Sequence, residues 1–217
     1  MGFVIAIDGP AASGKGTVAA GLAADYHLPH LDTGLLYRAV GWTVLQAGQD
    51  LDDEFAAMAA ARALEPAQLD NPSLRGRDAG EAASRVAVHL GVRGALLAFQ
   101  RDFAAREPGA VIDGRDIGTV IAPDAPAKLF VTASAQARAD RRWRQLTGQG
   151  ESVSLAEILA DIARRDERDS GRAAAPLVAA ADAVLLDTTD MTIDMAADAA
   201  RRIVEAARAR WERSQTG

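Results

Sequence analysis

The chain has no cysteine, which excludes disulfides, thiolate metal sites and a cysteine nucleophile. Aromatic residues make up only 5% of it, so a core has to be assembled from aliphatic side chains and alanine. Long apolar runs are missing too. The opening segment Phe3-Val4-Ile5-Ala6-Ile7 stops at Asp8, too short for a signal peptide or a membrane span. Ala6 stands where myristoylation requires Ser or Thr. Positive charge is not in surplus: the formal net charge is −6, which argues against a general binder of nucleic acid or membranes. Anionic ligands must then be met by local arginines. His27, His30 and His89 lack metal-ligand spacing and read as structural or surface residues, and Trp42, Trp143 and Trp211 as packing anchors. These absences fit a cytoplasmic protein. With 217 residues, 49% hydrophobic and 25% charged, the expectation is a single domain over residues 1–217.

Lysine is scarce as well. Of 24 basic residues only Lys15 and Lys128 are lysine, and the first of these falls in the most informative stretch of the chain. The apolar run leads into Asp8, then Gly9, Pro10, Ala11, Ala12, Ser13, Gly14, Lys15, Gly16 and Thr17. A strand, a glycine loop, a lysine and a helix make a phosphate cradle. Gly9 and Gly14 let backbone N–H groups converge on a polyphosphate, the helix adds the positive end of its dipole, and Lys15 reaches the outer phosphates. Gly16 separates the lysine from Thr17, which argues against a generic GTPase or motor ATPase and toward a small kinase.

Periodicity and punctuation predict the remaining elements. A helix is expected over 15–26, an extended piece at 30–32 and a helix over 35–46. Residues 50–77 read as an insertion, alanine-rich and then broken by Pro66, Asn71-Pro72 and Gly76. A helix over 81–106 is expected to kink near Gly91. Strands are expected at 110–112, 128–132 and 183–186. Helices are expected from a Ser134 cap to Leu146, from a Ser154 cap to Arg168, and over 192–211, with a hinge at Gly148-Gln149-Gly150. Alternating strands and helices imply a parallel sheet covered on both faces, with ligands beyond the carboxyl ends of its strands.

The phosphate loop, Asp32-Thr33 and Asp113-Gly114-Arg115-Asp116 all fall at that rim. Asp113-Gly114-Arg115-Asp116 places two carboxylates around a guanidinium, although a loop with a local ion pair has the same pattern. Thr33 can cap a helix that carries Arg38 one turn in, and arginine's fork suits a phosphate. Arg165, Arg168 and Arg172 form a basic stripe just after the glycine hinge, as a lid would that brings charge onto a transferring phosphoryl group. Asp161, Arg165 and Asp169 also alternate in sign at helical spacing, as on an exposed salt-bridged helix.

Together these motifs resemble the bacterial cytidylate kinases, within the nucleoside-monophosphate kinases. The likeness runs over nearly the whole chain, through Ile7 to Pro10, Gly14 to Thr17, Leu31 to Gly34 with Tyr37-Arg38, Asp113 to Thr119, Pro123-Asp124-Ala125, and Arg165 to Asp169 with Arg172 and Ala175-Pro176-Leu177. The resemblance implies an α/β fold of P-loop NTPase type: a five-stranded parallel sheet flanked by helices, a monophosphate-binding insertion at about 50–80 and a short lid at about 147–170. It implies transfer of the ATP γ-phosphoryl group to CMP or dCMP with Mg²⁺; a monomer is expected. ATP would be held by Gly9 through Thr17, and the electrostatics of transfer supplied by Lys15, Arg115, Arg165 and Arg168. The acceptor would meet Thr33, Arg38, Ser84, Arg93, Asp116, Asp169 and Arg172. Of these, Ser84, Arg93 and Asp116 would read the base. The Mg²⁺ would stand near Thr17 and Asp113, directly or through water. Two departures bear on this set: Ala11-Ala12 replaces the more usual Ser-Gly, and His89-Leu90-Gly91 precedes Arg93 where the family more often has a proline. The rivals are a kinase for UMP, AMP or a shikimate-like acceptor, a nucleotide-dependent switch, and a nucleotide-binding subunit without turnover.

Overall fold

The computed structural model describes residues 2–216. Strand β1 (Phe3–Asp8) is buried along its whole length and lies at the centre of a five-stranded sheet of order β2-β3-β1-β4-β5, where β2 is His30–Asp32, β3 Gly109–Gly114, β4 Ala127–Thr132 and β5 Val184–Asp187. Every pairing is parallel. Alternation along β1 sends its side chains to two cores. Phe3, Ile5 and Ile7 pack with Val18, Leu22 and Val204 under helices α1 (Lys15–Tyr26) and α8 (Ile193–Gln215). Val4 and Ala6 pack with Leu36, Val40 and Val86 under α2 (Thr33–Gln46), α4 (Arg77–Val86) and α5 (Leu90–Ala104). A sheet buried on both faces needs apolar strands, which is why β1 and β3 read as continuous apolar runs.

A third, small core of Ala139, Leu146, Ile158 and Ile162 joins α6 (Ala135–Gly148) to α7 (Leu155–Gly171). This pair is the region anticipated as a lid. Ser154 caps α7 through a reciprocal bond with Glu157, and Gly150 makes the preceding turn at φ 87°. The stretch anticipated as an insertion holds α3 (Glu54–Arg62), capped by Asp53, two short 3-10 turns and the start of α4.

The expected kinked helix over 81–106 is two helices, α4 and α5, whose axes differ by 101°. The break lies at 87–89, upstream of Gly91, because long-range contacts set it. The His89 ring bonds the Leu51 carbonyl at 2.8 Å, and Glu54 accepts the Gly91 N–H at 2.7 Å, satisfying a free donor in the first turn of α5. Among the described residues no single helix is long and apolar enough to cross a membrane.

Candidate active site

The loop between β1 and α1 is shaped by two glycines. A Cβ on Gly9 would stand 2.0 Å from the Val131 carbonyl oxygen, and Gly14 precedes α1 at φ 90°. Ala12 also takes a left-handed φ of 58°, the conformation that glycine adopts without strain. The loop carbonyls are engaged. Lys15 Nζ donates to Pro10 O at 3.4 Å, Arg138 Nη1 to Ala11 O at 3.3 Å, and Thr188 Oγ1 to Ser13 O at 2.9 Å. The first N–H groups of α1 have no intrahelical acceptor and stand open to an anion.

This loop forms one wall of a cavity of about 750 Å³. Ala11, Ala12, Lys15 and Gly16 line it with Arg38 from α2, Arg115 from the end of β3, Arg142 from α6 and Arg165 from α7. Burial, and next the Arg115 charge, push Lys15 down to about 7. Burial, then Arg115, takes Arg165 to about 9, and its buried Nε has no hydrogen-bond partner. Arg38 is lowered to about 10 by burial and by Arg142, while its Nη1 donates to the Leu74 carbonyl at 2.8 Å. Cations crowded so closely that they depress one another call for a bound polyanion. On the same rim, burial followed by the Asp113 charge lifts Asp32 above the ordinary carboxylate range. Asp113 accepts from His30 Nε2 at 2.8 Å. Burial alone would lower His30, but its bond to Asp113 raises it overall.

A second cluster adjoins the cavity. Arg93 Nη2 donates to Asp116 Oδ2, and the Arg93 guanidinium lies 5.8 Å from the centre of the Tyr37 ring. Burial raises Asp116 against the pull of Arg93. Ser84 is buried and its Oγ has no partner. Thr33 Oγ1 donates to the Asp113 carbonyl at 2.9 Å and so fixes the loop that follows. Arg115 joins the two clusters: its Nε donates to Asp169 Oδ2 at 2.7 Å, and Asp169 Oδ1 lies 3.1 Å from Arg172 Nη2. Burial works against the Asp169 charge, but Arg115, Arg165 and Arg172 hold it below the ordinary carboxylate range.

The structure therefore gathers Lys15, Arg38, Arg115 and Arg165 in one cavity, and sets Arg93, Asp116, Asp169 and Arg172 beside it, with Ser84 buried on α4. Gly9, Pro10, Ser13 and Gly14 shape the loop without lining the cavity, and Thr17 is exposed in the first turn of α1. Arg168 points elsewhere, donating both Nη atoms to Glu81 of α4 at 2.6 Å. Residues that the sequence reading missed include Arg138, Arg141 and Arg142, whereas Asp32 ends β2 and lines the cavity on the rim where the sequence put it. The three arginines lie at helical spacing on α6, a readable signal, but the phosphate-loop partners of Arg138 and Arg141 are more than a hundred residues away.

A parallel sheet with a glycine loop and an isolated lysine at the carboxyl end of its central strand defines a P-loop phosphate-binding protein of α/β class. The chain belongs to the cytidylate kinase family, whose model matches residues 5–207. It is similar to a cytidylate kinase of Caulobacter sp. (strain K31), 69% identical over 211 residues, which are 97% of this chain and 98% of that one. A cytidylate kinase of Xanthobacter autotrophicus is 65% identical over 207 residues, 95% of this chain and 99% of that one. Among solved structures, an uncharacterized protein from Eubacterium ventriosum shares the fold, with a TM-score of 0.52 and 17% identity over 94% of this chain and 98% of that one.

Proposed function

We propose that this chain transfers the γ-phosphoryl group of ATP to CMP or dCMP, giving ADP and CDP or dCDP. The observation that carries this reading is the juxtaposition of two clusters through the Arg115–Asp169 bond: a phosphate loop facing crowded cations, and a buried Arg93–Asp116 pair. Cytosine presents an amine donor where uracil presents a carbonyl, so a carboxylate at Asp116 favours cytosine. A site that would leave that carboxylate unpaired rejects the wrong base.

The attacking oxygen of the acceptor phosphate is already anionic, so no general base is needed. It bonds to the γ-phosphorus as the bond to the β-bridging oxygen breaks, and ADP leaves with that electron pair. Lys15, Arg115 and Arg165 neutralise charge on the transferring group, and Arg38 and Arg172 orient the acceptor. The packed α6–α7 pair excludes water that would otherwise hydrolyse ATP. The adjacent Asp32 and Asp113 carboxylates suit Mg²⁺, a hard cation that keeps several waters and takes one or two carboxylates with substrate phosphates. It would neutralise the β- and γ-phosphate oxygens there. Residues 50–80 would serve as the acceptor-binding insertion and 147–170 as the lid of a single kinase domain, working as a cytosolic monomer.

The experiment is a coupled ADP-release assay with CMP, dCMP, UMP and AMP as acceptors, run on the wild type and on Asp116→Asn. Turnover on CMP and dCMP that falls roughly 10²-fold in the variant is expected, since a buried polar partner is lost. Equal or faster turnover on UMP or AMP would overturn the cytosine assignment. An absence of acceptor-dependent turnover would overturn the kinase reading.

A further inference from the structure

Asp8 ends β1 and directly precedes the phosphate loop, yet its carboxylate does not line the cavity. It is buried, with 3% exposure. Oδ1 accepts the Ile117 N–H at 2.7 Å and Oδ2 accepts the Gly118 N–H at 2.8 Å. These are the first two N–H groups of a π-helical turn, Ile117–Ile121, whose preceding residue is Asp116. The Asp116 side chain makes no capping bond there; it is committed to Arg93. A helical turn leaves its first donors free, and these are satisfied from a distant strand.

The contact has little slack. A Cβ on Gly118 would stand 3.3 Å from both Asp8 Oδ2 and Lys128 Cδ. At the near end of the loop, a Cβ on Gly114 would meet Thr33 Oγ1 at 2.5 Å. The segment carrying Arg115 and Asp116 is thus pinned at Gly114 by Thr33 and at Ile117-Gly118 by Asp8. Between the pins, one side chain reaches Asp169 and the other Arg93.

We propose that Asp8 is a positioning residue: by capping the 117–118 turn it couples the phosphate loop to the base-reading loop and fixes where Asp116 meets cytosine. This rests on the reading of the chain as a (d)CMP kinase. Titration gives the coupling a handle. Burial lifts Asp8 to about 6 against the pull of its two N–H bonds; the Asp116 charge adds to the rise and Arg115 subtracts. Lys128 of β4 passes beside Gly118 but places its ammonium on Asp182, at 2.8 Å. The ionised carboxylate accepts from both N–H groups, whereas the protonated acid turns an O–H toward one of them. Acidification through that value therefore loosens the cap.

The test is the ratio of kcat/KM for CMP to that for UMP, measured at about pH 7.5 and about pH 5.5, either side of the Asp8 titration. It is run on the wild type, Asp8→Asn and Gly118→Ala, each checked by thermal melting. The acceptor phosphate itself titrates near pH 6, alike in both substrates, and cancels in the ratio. At the higher pH, Asp8→Asn is expected to lower the ratio about tenfold through a raised KM for CMP. The wild-type ratio falls on acidification, while the variant's stays flat. A fall that persists in Asp8→Asn belongs to Asp116 itself and overturns the proposal, as does an unchanged ratio at the higher pH. Should Asp8→Asn give no cooperative melt, Gly118→Ala decides: it crowds the carboxylate away from the turn, and a lowered ratio supports the proposal while an unchanged one overturns it. A wild type with no turnover on CMP overturns the kinase reading as well, whereas discrimination in the wild type that survives both variants overturns only the role of Asp8.

Discussion

Lys15 is held where both burial and the Arg115 charge disfavour its ammonium, with its value lowered from 10.5 to about 7. A lysine lowered on folding binds fewer protons in the native than in the unfolded state between those two values, so stability rises with pH across that window. Below about 7 the full cost of the buried charge is present. Lys15→Met removes the cost, and its melting temperature is expected to exceed that of the wild type by several degrees near pH 7, with the gap closing toward pH 10. The same substitution removes the donor proposed for the transferring phosphoryl group, a loss expected to cost about 3 kcal/mol in the transition state, or roughly 10²-fold in kcat. Melts at the two pH values and single-turnover kinetics check both halves. A variant less stable than the wild type at neutral pH would mean that Lys15 serves packing and not an anion. This trade of stability for function was partly legible, since a lone lysine in an arginine-rich chain marks the loop. The neighbour that depresses it, Arg115, lies a hundred residues away.

Helices α4 and α7 are bound by charge. Arg77 Nε donates to Asp161 Oδ2 at 2.6 Å, and Arg168 holds Glu81 through two bonds, keeping that carboxyl below its ordinary range. Arg142 Nη2 adds a bond to the Gly76 carbonyl at 3.1 Å. Spacing along α7 placed Arg165, Arg168 and Arg172 on one stripe, but spacing fixes a face and not a partner. Arg165 turns into the cavity, Arg168 to α4 and Arg172 to Asp169. A half-exposed pair is worth about 1 kcal/mol at most, enough to bias how α7 sits over the cavity. A double-mutant cycle of Glu81→Gln and Arg168→Gln is expected to show coupling of about 0.5–1 kcal/mol in stability, with both single variants raising KM for CMP to a similar extent. A collapse of kcat in Arg168→Gln alone, with Glu81→Gln silent, would instead place Arg168 on the phosphoryl group.

Over the whole molecule, what could be read in the sequence was what adjacent residues determine. The apolar strands, the phosphate loop and the Ser134 and Ser154 caps all appear where short-range patterns put them. Distant partners set what could not be read: the break at 87–89, the α6 arginines on the phosphate-loop carbonyls and the Asp8 cap. The cavity has the same long-range character, drawing its cations from α1, α2, α6, α7 and the end of β3. The chain as a whole is acidic, at −6, so these cations are concentrated against its overall sign and repel one another. A polyphosphate bound among them relieves that repulsion and joins the phosphate loop to the α6–α7 pair. Saturating ATP, at about 100 times its Kd, stabilises the native state by about 2.7 kcal/mol. For a chain of this length that raises the melting temperature by roughly 5–10 °C. Lys15→Met is expected to start from a higher melting temperature and to gain clearly less at the same ATP concentration. Thermal melts of both proteins across an ATP titration decide the matter: equal gains in the two would remove Lys15 from the binding of the polyphosphate, and no gain in the wild type would show that the cluster of cations is not an anion site.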